Sequence, residues 1–187
     1  MAGIAGTYDL GPKTGRIILK TGRVGLAARV GHDLTIEITQ WSARVMVPDA
    51  GGGDITAATV TAELDLGSLA VREGTGGAKA LSDRDRGDIL STARRILGAA
   101  AKGTFTSSGV ILHAEGAGAI DGTLALHGTS RPLRLQVAAP APGRYRGTTQ
   151  VRQTDFGIPP YSGFFGALKL RDEVTVEFEV ELPPQCR

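Results

Sequence analysis

The sequence predicts an all-β protein: an antiparallel β-barrel of about eight strands with one helical segment between strands. Three observations carry this expectation. Segments of strand length with an apolar residue at every second position recur along most of the chain, so each strand has one apolar and one polar face. Only one stretch, residues 82–97, shows helical spacing. One helix cannot cover so much apolar sheet, so the sheet must fold on itself as a barrel or a sandwich. An eight-stranded antiparallel barrel encloses either packed side chains or one small apolar ligand.

Taken in order, residues 6–9 read as a short first strand and 15–21 (GRIILKT) as a second. In residues 22–31, GRVGLAARVG, a helical turn would carry Leu26, Ala27 and Val30 inward, while the glycines equally permit a bent strand. Residues 32–47 form a long strand whose parity changes. Leu34, Ile36 and Ile38 share one face, but Trp41, Ala43, Val45 and Val47 continue on the other. A one-residue shift near Gln40 is the mark of a β-bulge, which helps a sheet curl.

Residues 48–54, PDAGGGD, are a flexible loop, and 56–66 alternate with Val60, Ala62, Leu64 and Leu66 on one side. The glycine-rich residues 71–81 read as a mobile connection. Ser82 can cap a helix, with Asp83, Asp85 and Asp88 in its first turns, where the helix dipole favours negative charge. Ile89, Ala93, Ile96 and Leu97 recur at helical spacing. Gly87 leaves two short helices as an alternative.

Strands return at 102–112, 116–126, 132–138, 144–152 and 173–182. Residues 120–137, IDGTLALHGTSRPLRLQV, read as a hairpin turned by His127 to Pro132, with the proline opening the return strand. The last strand alternates most regularly, with Val174, Val176, Phe178, Val180 and Leu182 opposed by Thr175, Glu177, Glu179 and Glu181.

At 187 residues the chain is most simply one domain, residues 1–187. A net charge of +2 is too small for a nucleic-acid footprint. The single cysteine, Cys186, precludes an intrachain disulfide. The N-terminal residues lack the basic and apolar regions of a signal peptide, and no apolar run approaches the roughly 18 residues of a membrane span. The expectation is a cytoplasmic protein without stable membrane insertion.

Four segments, in order, resemble the YceI family, lipocalin-like bacterial proteins associated with polyisoprenoid binding. They are Tyr8-Asp9 with the strand that follows; residues 83–96 (DRDRGDILSTARRI) followed by 103–107 (GTFTS); residues 122–133 (GTLALHGTSRPL); and Asp155-Phe156-Gly157-Ile158 with Asp172-Glu173-Val174. Residues 30–34 (VGHDL), with Pro160-Tyr161 and Gly166-Ala167-Leu168, resemble a subgroup without signal peptides. Two departures stand out. Gln153 occupies a position where the family often has arginine, and Ala101-Lys102 replaces a Tyr-Pro pair. The resemblance implies a lipocalin-like barrel and a long apolar ligand.

On that reading the wall of a ligand tunnel would draw on Trp41, Phe105, Leu124, Leu126 and Phe178, with Ile89 and Leu90 from the helical segment. The alternative is that these residues are simply core. Phe156, Ile158, Tyr161, Phe164, Phe165 and Leu168 sit in a loop punctuated by glycine and proline, either a lip at the barrel mouth or a plug that seals it. The partner expected is an apolar small molecule such as a polyisoprenoid or fatty-acid-like lipid, held without enzymatic chemistry, cofactor or metal. Catalysis by His32 or His127 is disfavoured, because no G-x-S-x-G elbow accompanies them and adjacent strand residues such as His32 and Asp33 face opposite ways. The three histidines show no metal-ligand spacing. The other readings are a filled barrel acting through loop or homodimer contacts around Phe164 and Phe165, and an enzyme acting on an apolar substrate.

Overall fold

The computed structural model describes residues 5–49, 55–98, 101–113 and 116–183. Cys186 and most of the 48–54 loop lie outside them. The strands are β1 (Gly6–Leu10), β2 (Gly15–Thr21), β3 (Arg23–Val24), β4 (Asp33–Ile38), β5 (Trp41–Val47), β6 (Thr59–Asp65) and β7 (Leu69–Thr75). Helix α1 (Asp83–Leu97) follows. The chain continues through β8 (Lys102–Leu112), β9 (Ala117–Leu126), β10 (Thr129–Ala141), β11 (Arg144–Arg152), β12 (Ser162–Gly163), β13 (Leu168–Leu170) and β14 (Glu173–Glu181).

Eleven of these strands form one antiparallel sheet, in the order β1-β5-β6-β8-β9-β10-β11-β14-β2-β4-β7. Chain continuity closes it. The pairs β1–β2, β4–β5 and β6–β7 are each one long strand with a short interruption. β1 pairs with β5 and β2 with β4; β5 pairs with β6 and β4 with β7. Merged in this way they leave eight strands, each paired with its neighbours in sequence, and β14 returns to β2. The result is an eight-stranded up-and-down barrel.

The interruptions are stitched rather than loose. At residues 11–14, the Thr14 amide donates to the Gly11 carbonyl and the Gly11 amide to Thr14 Oγ1, both at 2.9 Å. The breaks at Thr39–Gln40 and Leu66–Ser68 lie side by side. Ser68 Oγ accepts from the Gln40 amide at 2.9 Å, and its carbonyl accepts from Thr39 Oγ1 at 2.7 Å. Across this corner the inward face passes from Ile38 to Trp41 and from Leu66 to Leu69, all four buried. A further shift between Ser107 and Gly109 moves the inward face of β8 from Phe105 to Val110. A strand that must curve around a barrel keeps its apolar face inside by such parity changes.

The outer face is polar. In-register pairs across neighbouring strands join Arg16 to Glu179 (2.8 Å), Arg44 to Asp9 (2.7 Å) and Arg134 to Asp121 (3.2 Å). This polarity is the inverse of a membrane-spanning barrel, whose outward band is apolar. Among the described residues no helix is long and apolar enough to cross a membrane.

Helix α1 is one helix, not two. Ser82 Oγ accepts from the Asp85 amide while the Asp85 carboxylate accepts from the Ser82 amide, a reciprocal capping box that outweighs Gly87. α1 packs Ile89, Leu90, Ala93 and Leu97 onto the main core. Its Arg86 Nη1 donates to the carbonyls of Val71 and Arg72 at 3.0 Å each, along β7.

Three local expectations are corrected. Residues 71–75 of the supposed mobile connection belong to β7, with Leu69 and Val71 buried, because the inward positions are apolar despite Gly74. Residues 22–31 form β3 and a 3₁₀ turn at Ala28–Val30, but Leu26 is 98% exposed, and Val30, 50% exposed, reaches only the edge of the cavity. The hairpin turn is only His127-Gly128, both with positive φ (52° and 76°), as a two-residue turn between twisted strands requires. Pro132 therefore lies within β10, ahead of the β10–β11 register, which begins at Gln136.

Candidate functional site

The two ends of the barrel differ in construction. One end carries the Ala141–Arg144 turn and the ends of β8 and β9, where the His113 amide donates to the Ala117 carbonyl, and near it Tyr8, Leu10, Val47, Ala58 and Val110 are buried. Burial, and then the neighbouring Tyr8 phenol, push the Tyr145 hydroxyl above its ordinary range, as expected in this packed floor. The other end gathers residues 22–32, the α1 crossover, the His127-Gly128 turn and residues 153–172.

Between them lies a cavity of about 950 Å³. That is at the upper end of the range for small-molecule pockets. Every strand of the eleven-stranded sheet contributes apolar side chains, among them Ile36, Val60, Leu135, Val151 and Val176. Charged lining groups collect at the elaborated end, where Arg23, His32, Lys79, Asp85 and Asp88 appear. The hydroxyl of Thr149, farther along the wall, already donates to the Arg134 carbonyl at 2.8 Å.

The lumen stays open partly because its aromatic rings are laid against glycines. Phe105 comes within 2.5 Å of where a Cβ on Gly122 would stand, and Phe178 fills the corresponding space at Gly147. The inward positions of both strands thus give up their own side chains to the neighbouring ring, a device that also relieves the poor packing of glycine in a sheet.

Ten of the thirteen wall and loop residues expected from the sequence line this cavity: Trp41, Ile89, Phe105, Leu124, Leu126 and Phe178, and from the loop Ile158, Tyr161, Phe164 and Leu168. Leu90, Phe156 and Phe165 do not. Leu90 packs against the main core without lining the cavity, and Phe156 is only 3% exposed in a separate cluster with Leu124 and Ile158. Phe165 is fully exposed.

The loop therefore divides. Its first half is a plug: Phe156 and Ile158 pack with Ile96, Leu97, Leu133 and Val151 between α1 and the β9–β10 hairpin. Its second half is an arm, running through β12, a 3₁₀ turn at Phe164–Gly166 and β13, which pairs with β3. Asp172 clamps the base. Its carboxylate accepts from the Thr154 amide at 2.9 Å and from the Thr154 hydroxyl. Partial burial works against its charge, but these bonds and Arg152 outweigh it and hold the carboxyl below its usual range.

The polar groups at this end are largely committed to structure. Arg23 Nη1 donates to the Gly31 and Thr75 carbonyls at 2.8 Å each. His32 Nε2 donates to the Lys79 carbonyl at 2.7 Å. Asp85 is held below its ordinary range by the Ser82 hydroxyl and amide, with Lys79 and His32 adding to the effect. Among the described residues no group of three or more His, Cys, Asp or Glu side chains is placed to hold a metal ion.

The chain matches the YceI-like domain family over residues 14–182, nearly the whole barrel with its plug and arm. It is a member of the YceI-like family. BcnA of Burkholderia cenocepacia superposes on this YceI-like chain with a TM-score of 0.57 at 15% identity, over 89% of this chain and 94% of that one. A Campylobacter jejuni YceI protein that crystallises with large solvent channels superposes with a TM-score of 0.53 at 13% identity, over 81% of this chain and 85% of that one. At such identities the likeness extends to the fold alone. No curated protein matches the chain in sequence.

Within this YceI-like barrel the DFGI and DEV segments are one device, since Thr154 beside the first is bound by Asp172 of the second. Gln153 donates its side-chain amide to the Arg171 and Asp172 carbonyls at 3.0 and 3.2 Å. It closes the same base without a charge.

Proposed function

We propose that this YceI-like protein binds one long apolar molecule, of isoprenoid or fatty-acid-like chemistry, inside the barrel and carries or stores it. The observation that carries this reading is the open lumen: about 950 Å³ walled by aliphatic side chains, with charged groups gathered at one end. A lumen of this size does not fit the alternative of a barrel with a filled core. Burial supplies the driving force, at roughly 0.8 kcal/mol for each methylene removed from water. A wall made mostly of aliphatic side chains discriminates against polar molecules, because much of their desolvation would go uncompensated. The charged end suits the polar terminus of an amphipathic chain. Ile89, Tyr161, Phe164 and Leu168 line the path by which the chain enters, and Trp41, Phe105, Leu124, Leu126 and Phe178 hold it.

Native mass spectrometry of the purified protein tests this, followed by organic extraction. The expected result is a single apolar adduct per chain that is displaced by a fluorescent fatty acid. Absence of any adduct together with no uptake of the fluorescent probe overturns it.

A further inference from the structure

Large apolar side chains that face solvent are concentrated on one part of this molecule. Of the seven that are strongly exposed among the described residues, five (Val24, Leu26, Val30, Phe164 and Phe165) lie on two segments, residues 22–31 and 161–171. The segments form one surface. β3 pairs with β13, and the Ala27 amide donates to the Ala167 carbonyl at 2.9 Å. Phe164 and Phe165 both hold positive φ, 50° and 55°, a region costly for bulky residues. The backbone is thus strained to present two phenylalanines that the fold does not bury, a pattern associated with functional surfaces. The patch is continuous with the lumen, since Val30 and Phe164 also line the cavity.

The charge on these segments has one sign. Residues 22–31 and 161–171 contain Arg23, Arg29, Lys169 and Arg171 and no Asp or Glu. Arg23 is committed to carbonyls, but no ion pair among the described residues takes up Arg29, Lys169 or Arg171. Lys169 lies beside Gly166 at the tip of the arm, and the Arg171 stem lies against Gly22. A two-fold contact between copies would set these cations against themselves, which disfavours self-association.

We propose that this face docks on an anionic lipid surface, with Leu26, Phe164 and Phe165 entering the headgroup region and Arg29, Lys169 and Arg171 meeting the phosphates. An apolar tip ringed by cations is the combination that holds proteins at anionic interfaces. Docking sets the mouth of the lumen against the bilayer. The surface requires no occupant in the lumen, so it stands or falls separately from ligand binding.

The test is co-sedimentation of the full chain with ligand-free vesicles of phosphatidylcholine alone or with phosphatidylglycerol added. The wild type is expected to bind the anionic vesicles more tightly, and added salt to weaken that binding. F164S/F165S should bind at least tenfold more weakly at unchanged circular dichroism. R29Q and K169Q should each weaken binding roughly fivefold, on the anionic vesicles only. In F165W, emission should shift to the blue when anionic vesicles are added. The proposal is overturned if the wild type binds neither vesicle, if F164S/F165S binds like the wild type, or if F165W emission does not move. A dimer dissolved by F164S/F165S, with no vesicle binding by the wild type, would assign the surface to a second copy and overturn it as well.

Discussion

The Phe178 ring occupies the space that a side chain on Gly147, its register partner on the neighbouring strand, would need. A large ring and an absent side chain share one place on the barrel wall. A Gly147→Val substitution must push that ring into the lumen or shift the strand, and is expected to cost about 1–3 kcal/mol in urea unfolding. Uptake of a fluorescent fatty acid should fall with it.

Ala43 and Ala62 face each other across β5 and β6, both lining the lumen. Ala62→Phe adds a ring where there is room for one. The variant should keep or raise its melting temperature, as cavity filling commonly does, while probe affinity drops at least tenfold. Unchanged affinity would place the ligand elsewhere.

Phe165 is fully exposed in a left-handed conformation, so its replacement by asparagine loses no packing and relieves strain. Phe165→Asn is expected to gain about 1 kcal/mol in urea unfolding. A loss would mean that the ring is held by contacts in solution.

Ser82 begins α1 through the capping box. Ser82→Ala should cost about 1 kcal/mol. Hydrogen exchange should locate the loss in the first turn of the helix.

Asp85 and Asp172 both have folded-state values below the ordinary 3.8. The stabilisation each provides is therefore complete above that value and is lost as pH falls through the lower folded value. Stability is expected to be flat near neutrality and to decline below about pH 4. Limited proteolysis of the arm, which Asp172 clamps, should accelerate in that window. In Asp172→Asn cleavage should be faster at neutral pH and depend less on acid.

Much of the barrel was legible in the sequence because the alternation of apolar residues survives wherever a strand has a wet outer face. The parity change around Gln40 located a real corner, since Ile38 and Trp41 are both buried. Alternation read β4 and β5 as one long strand, but it could not say the same of β1–β2 and β6–β7, whose continuity depends on pairing between distant residues. Nor could it separate Phe156 from Phe165. Both are phenylalanines in one loop, and only the packing of Phe156 beneath α1 distinguishes plug from arm. A helical turn in residues 22–31 would have carried Leu26 inward, but the segment is held against the arm and Leu26 faces solvent. The glycines that keep the lumen open left no signal, since Gly122 and Gly147 acquire meaning only beside Phe105 and Phe178.

β7 runs past the start of β8, so among the described residues no strand lies along its outer side to donate to its carbonyls. An edge of this kind is a template on which another chain can add a strand. Arg86 already occupies two of those carbonyls, and α1 lies over the strand. The helix that borders the lumen is thereby also a guard against polymerisation. Loosening it would leave the β7 edge open as a seed for edge-to-edge assembly.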